Sequence, residues 1–171
     1  LLAQHSPNGK VRIVAGGTDM MADLKFAPAS HCPDMVVDIS RASDLKNIVV
    51  TDKGLSIGAL VTHTQIMRSP LIRDMFPALQ AAAHTIGAVQ TRNLGTLGGN
   101  LVTGVPSMDS GPTLVALDAI ASIAGPGGRR EVPLADFWTG PRKTVLKPDE
   151  LLAEIIIPKH ILNKPAHFLK L

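Results

Sequence analysis

The residues best suited to chemistry in this chain lie in two glycine-rich stretches. Ala15-Gly16-Gly17-Thr18-Asp19 follows a short apolar run, and Arg92-Asn93-Leu94-Gly95-Thr96-Leu97-Gly98-Gly99-Asn100 places three glycines, one threonine and two asparagines in nine residues. Glycine lets a chain turn with φ > 0 and, lacking a Cβ, lets a ligand come close enough for backbone N–H groups to hold an anion. The predicted ligand is a phosphate. Either loop alone also reads as a tight turn between a strand and its neighbour, and a lone Gly-Gly is a weak signal. Two such loops, each with Thr near the Gly pair and an Asp or Asn able to cap amides, point to a diphosphate gripped from two sides.

Other chemistries lack their residues. No GxGxxG fingerprint opens a helix after a strand and no Walker lysine follows the glycines, which argues against a Rossmann dinucleotide site and a P-loop nucleotidase. The six histidines show none of the paired spacings of metal sites, and His63 and His84 read as surface or core residues of predicted helices. Cys32 is the only cysteine, so this chain alone can neither form an internal disulfide nor hold an iron–sulfur cluster. Its neighbour His31 suggests a thiol nucleophile only weakly, since nothing nearby completes a catalytic arrangement. The net charge of +3 is spread along the chain, and with no tyrosine and 3% aromatic residues there is no stacking platform for nucleic acid. Apolar runs fall short of the roughly 20 residues of a membrane span, and Leu1-Leu2 does not open a signal peptide, so the expected location is cytoplasmic.

The elements that must position the two loops follow from periodicity and punctuation. Val11–Ala15 reads as a strand and Asp19–Phe26 as a helix with Met20, Leu24 and Met21 inward. Ser6-Pro7-Asn8-Gly9 reads as a turn, Asp34–Ser40 and Ile48–Thr51 as strands, and Asp52-Lys53-Gly54 as a hairpin into Leu55–Leu60. Thr62 caps a helix over His63–Arg68, Ser69-Pro70 starts another, and Pro77 begins a third that ends at Gly87. The stretch Asn100–Pro112 has few helix signals. Ala119–Ala124 and Arg129–Pro133 flank a turn, Asp136–Thr139 reads as one helical turn, and Leu151–Ile157 as a strand stopped by Pro158. Mixed strands and helices with hairpins predict an α+β fold.

Ala15-Gly16-Gly17-Thr18-Asp19 and Thr96-Leu97-Gly98-Gly99-Asn100 resemble the two FAD-contacting motifs of the flavoprotein subunit of the xanthine dehydrogenase (molybdenum hydroxylase) family, the carbon monoxide dehydrogenase flavoprotein type included. Val36-Val37-Asp38-Ile39, Ile57-Gly58-Ala59, Arg92-Asn93-Leu94-Gly95, Leu114–Asp118 and Glu150–Pro158 extend the likeness over essentially the whole chain. The resemblance implies a two-lobed FAD-binding fold of the vanillyl-alcohol oxidase (PCMH) type, with FAD between lobes spanning 1–53 and 54–163. Residues 164–171 would begin a further C-terminal domain, and a strand and helix would precede Leu1, so the chain is expected to be a fragment.

By the same resemblance, Ile13, Val14, Ala15, Gly16, Gly17, Thr18, Asp19 and Met20 wrap the diphosphate, with Gly16–Asp19 amides as donors. Thr96, Gly98, Gly99 and Asn100 form the other half of the grip. Asp109 contacts the adenosine ribose, Leu152 the adenine end and Lys170 the isoalloxazine ring, although Leu152 also reads as a plain strand residue and Lys170 as an exposed one. Ile86 falls where some relatives place an aromatic ring on the flavin, a departure that leaves the electron acceptor open.

The implied function is electron transfer: 2Fe-2S clusters on a small partner subunit and molybdopterin on a large one feed this FAD, which passes electrons to NAD, oxygen or another acceptor. No catalytic residue and no metal ligand is expected on this chain. The hydroxybenzoyl-CoA reductase branch is set aside because its cysteine-bearing insert is missing. The rivals are a stand-alone flavin oxidoreductase, which needs an acid or base near Ile86, and a flavin-free scaffold, which would not need Gly17 or Gly99.

Overall fold

The computed structural model describes residues 2–5, 10–26, 28, 32–162 and 164–170. The turn expected at Ser6–Gly9 lies outside them, as does His31. After a short helix α1 (Leu2–His5), β1 (Val11–Val14) runs into α2 (Thr18–Phe26) and then β2 (Met35–Asp38), which pairs parallel with β1 in the register Val11↔Met35. Parallel strands need a crossover, and α2 supplies it. Met20 is its one buried residue, whereas Met21, expected to face inward, is 62% exposed.

The larger layer is a five-stranded antiparallel sheet built from β3 (Ile48–Thr51), β4 (Gly54–Gly58), β5 (Ile120–Gly125), β6 (Gly128–Pro133) and β9 (Leu151–Pro158), ordered β3-β4-β9-β5-β6. Leu55, Ile57, Ala121, Ile123, Ile155 and Ile157 alternate onto one face and are fully buried. The opposite face carries Ser56, whose hydroxyl donates to Glu154, which also pairs with Arg129. The expected lobe boundary after residue 53 falls inside a hairpin, because β3 pairs with β4 (Ile48↔Ile57). Sheet pairing therefore assigns residues 48–53 to the larger layer.

Helices cover the apolar face. α3 (His63–Arg68) starts with a capping box: Thr62 Oγ1 accepts from Gln65 N and Gln65 Oε1 from Thr62 N. α4 (Pro70–Met75) and α5 (Pro77–Thr85) each open on proline, where a missing N–H costs nothing. Then come α6 (Val89–Leu94), α7 (Leu97–Thr103) and α8 (Ser110–Ala116). Ile66, Ile72, Leu79, Leu97, Leu101 and Leu114 bury against the sheet, and burial of this kind contributes roughly 1.5–3 kcal/mol per side chain.

Two expectations differ here. The stretch Asn100–Pro112 holds the end of α7 and the start of α8, where Pro112 sits in a first turn that tolerates it. Asp136–Thr139 is the end of a 3-10 turn (Leu134–Asp136) followed by a strand, β7 (Trp138–Gly140), which pairs with β8 (Lys143–Thr144). Phe137 and Trp138 stack edge to face at 5.5 Å, and the indole N–H donates to the Leu101 carbonyl, which anchors this ribbon to α7. Among the described residues no helix is long and apolar enough to cross a membrane.

Candidate functional site

The first glycine loop leaves β1 at Val14 and enters α2 at Thr18. Gly17 adopts φ +71°, a left-handed conformation that favours glycine. Gly16 is there for proximity: a Cβ on it would lie 1.9 Å from the carbonyl oxygen of Leu94 and 2.6 Å from its carbon. The two glycine-rich stretches thus meet backbone to backbone. The first turn of a helix leaves its N–H groups without partners inside the helix. In α2 the Met21 amide reaches the Gly17 carbonyl at 2.9 Å, and no described residue accepts from the amides of Thr18, Asp19 or Met20.

The second loop is chemically different, although the sequence suggests a matching grip. Thr96 caps α7 by accepting from Gly99 N at 3.1 Å, Leu97 N donates to Val61 O, Gly98 N to Ala59 O, and Asn100 N to Thr96 O. Every first-turn amide of α7 is therefore taken within the chain. Gly98 serves close packing, since a Cβ there would sit 2.6 Å from the Ala59 Cβ. What this loop can offer a ligand is its side chains. Asn100 Oδ1 accepts from the buried Ser110 hydroxyl at 2.6 Å, which leaves the Asn100 amide nitrogen as a donor.

Between the loops lies a cleft of about 550 Å³, within the usual range for small-molecule sites. Its lining includes Ile13, Val14, Ala15, Gly16, Gly17, Thr18, Asp19, Met20, Ile86, Thr96, Gly98, Gly99, Asn100 and Leu152. Asp109 and Lys170 are not in the lining. Lys170 Nζ pairs with Asp109 Oδ2 at 2.7 Å, and the Thr85 hydroxyl donates to the same oxygen at 2.9 Å. The residues expected to contact the adenosine ribose and the isoalloxazine ring, Asp109 and Lys170, are thus paired with each other. Thr85 places the pair next to Ile86.

The cleft also draws on residues that the sequence did not single out. Arg12 and Arg142 approach the same Asp23 carboxylate at 4.0 and 3.6 Å, and Thr103 donates to Asp19 at 3.4 Å. Nothing in the spacing of Arg12 or Arg142 marks them, because the β1–α2 crossover and the β7–β8 ribbon bring them together from 130 residues apart. The segment 144–152 forms another wall. Glu150 accepts from both Arg130 nitrogens and from the Lys147 amide, and these bonds, Arg130 first, hold its carboxyl down at about 2. His63 is 2% exposed and lines the cleft, and burial, with Arg92 beside it, pushes its imidazole down to about 4.

The chain matches, over residues 1–160, the family described as the FAD binding domain in molybdopterin dehydrogenase. It is 38% identical over 162 residues to the nicotinate dehydrogenase FAD-subunit of Eubacterium barkeri, covering 93% of this chain and 54% of that one. It is 34% identical over 160 residues to the carbon monoxide dehydrogenase medium chain of Hydrogenophaga pseudoflava, covering 92% and 54%. Among solved structures, CO dehydrogenase from Oligotropha carboxidovorans superposes with TM-score 0.85 at 30% identity over 92% of this chain and 55% of that chain. Quinoline 2-oxidoreductase from Pseudomonas putida 86 does so with TM-score 0.85 at 31% identity, over 92% and 53%. The chain spans about half the length of the relatives it matches.

Proposed function

Because this chain belongs to the family of FAD-binding domains of molybdopterin dehydrogenases, we propose that it holds FAD in the cleft between its two glycine loops. In this role it serves as the flavin-bearing, electron-transferring part of a molybdenum hydroxylase. The observation that carries the proposal is the backbone contact at Gly16, which sets the three amides of α2 that find no acceptor among the described residues at the edge of a cleft of dinucleotide size. The residues fit the group: Thr18, Asp19 and Met20 N–H would take the diphosphate at the positive end of α2, and Thr96 and Asn100 would close on it from α7. Leu152 and the 144–152 wall would receive the adenine, and Ile86 with the Asp109–Lys170 pair would stand at the flavin end. FAD supplies the exchange between one-electron and two-electron carriers.

The electron donors would be 2Fe-2S clusters on a small partner subunit, themselves reduced from a molybdopterin centre on a large one. The acceptor would be NAD, oxygen or another carrier. A chain with one cysteine, exposed at Cys32, suits a cluster-free member of such an assembly. The names FAD-subunit and medium chain carried by its relatives are in keeping with a hetero-oligomer. Direct substrate chemistry at the flavin would need a free acid or base near Ile86. Asp109 and Lys170 there are engaged with each other, and Arg92 donates to the Ile86 and Gly87 carbonyls, which favours electron transfer.

The test is release of flavin from the intact complex by acid, with the supernatant identified by fluorescence and chromatography. One FAD per chain is expected; a flavin-free intact complex overturns the proposal.

A further inference from the structure

His63 opens α3 and sits where the two glycine loops meet. Its own N–H donates to the Gly95 carbonyl at 3.1 Å, and a Cβ on Gly95 would lie 3.4 Å from its Cδ2 and 3.5 Å from Thr18 Oγ1. The ring therefore lies beside one loop and next to the first residue of α2. Among the described residues, His63 Nδ1 is the buried side-chain nitrogen or oxygen that finds no hydrogen-bond partner. A buried polar atom left in this way costs about 1–3 kcal/mol unless something else is gained. The other ring nitrogen, Nε2, has no described partner either but is not sealed off, and His63 lines the cleft. An otherwise buried ring thus borders the ligand site.

Neutral imidazole carries one proton, on one nitrogen. Enclosing an N–H without an acceptor is the costlier arrangement, so the sealed Nδ1 keeps the lone pair and Nε2 carries the hydrogen. Charge is not needed for this role, and the Arg92 guanidinium, which donates to the Ile86 and Gly87 carbonyls on the α6 side, disfavours it.

We propose that His63 is a binding residue for the dinucleotide, a neutral donor whose Nε2–H reaches a diphosphate oxygen at the seam of the two loops. This rests on the cleft being the FAD site. It supplements the amides of α2 with a side-chain donor from the opposite lobe and gives the buried imidazole a task that packing alone would assign to leucine or phenylalanine.

The test uses the full chain freed of flavin, labelled with 15N-histidine and titrated with FAD, and with ADP as a probe carrying the diphosphate without the flavin. Both ligands are expected to move the His63 Nε2 resonance while it remains protonated and Nδ1 remains unprotonated. His63→Phe is expected to raise the FAD Kd about 10- to 100-fold, and His63→Gln, which keeps an N–H donor, to recover most of the loss. An unchanged Kd in His63→Phe overturns the inference. Should that variant not fold, FAD uptake by the parent with no change at the His63 ring overturns it as well. A parent chain that takes up no FAD overturns the proposed function itself, a result distinct from FAD uptake to which His63 is indifferent.

Discussion

Gly16→Ala adds one methyl group at the point where the two halves of the site touch. The new Cβ would begin 1.9 Å from the Leu94 oxygen, 2.6 Å from its carbonyl carbon and 3.1 Å from the Gly95 Cα, all of them backbone atoms with no rotamer to turn aside. Real Cβ contacts essentially never fall under 3.0 Å, so the loops must part by 3.0 − 1.9, or 1.1 Å, at the least. Overpacking of this sort costs about 1–3 kcal/mol of stability, which a domain of this size can absorb. Binding suffers more. An amide placed about 2.9 Å from a phosphate oxygen would stand near 4 Å, beyond hydrogen-bond reach. Two or three charge-assisted bonds at roughly 1.5–3 kcal/mol each are at risk. A loss of about 3–4 kcal/mol corresponds to a 100- to 1,000-fold higher Kd. The assay is flavin per protein in the purified complex together with a fluorescence titration, with circular dichroism to show that the fold survives. Gly127→Ala is the control, because a Cβ there meets nothing within 4 Å. Gly16→Ala with the parent's Kd and flavin content would refute the view that loop apposition builds the site.

Two other outcomes follow from the walls of the cleft. Glu150 is depressed from 4.5 to about 2 in the folded chain, chiefly by its bonds from Arg130, so its contribution is fully present above pH 4.5 and is lost as pH falls through 2. Full conversion of that depression is about 3 kcal/mol, and solvent screening at the 37% exposed Arg130 side chain reduces it to about 1–2 kcal/mol. Glu150→Gln should therefore lower the melting temperature at pH 7 and flatten the decline between pH 5 and 2; parallel melting profiles would contradict the assignment. Asp109→Ala should weaken FAD binding by about 1–3 kcal/mol without unfolding the chain, because it frees Lys170 beside Ile86 while the Thr85 hydroxyl keeps the Ala82 carbonyl as acceptor. Loss of the cooperative melt would make Asp109 structural instead.

What the sequence made legible was local. Cap and proline punctuation at Thr62, Ser69-Pro70 and Pro77 located three helices because each signal acts within one turn of its own residue. The glycine pairs marked both loops for a comparable reason. Their inequality was not legible: whether an amide at Gly98 is free depends on Ala59, which is 39 residues away and brought alongside by the antiparallel bridge Thr62↔Thr96. Helix α7 was missed because glycines at 98 and 99 lower intrinsic helix propensity, and what restores the helix is the Thr96 cap and close packing on Ala59. His63, read as a surface or core residue of its helix, and Arg142, not singled out at all, show the same limit, since their chemistry comes from position in space and their sequence neighbours are ordinary. The asymmetry has a functional sense. In the proposed site, the loop whose amides all serve the fold would be a rigid wall, and the loop whose first-turn amides find no acceptor among the described residues would be the grip on the diphosphate.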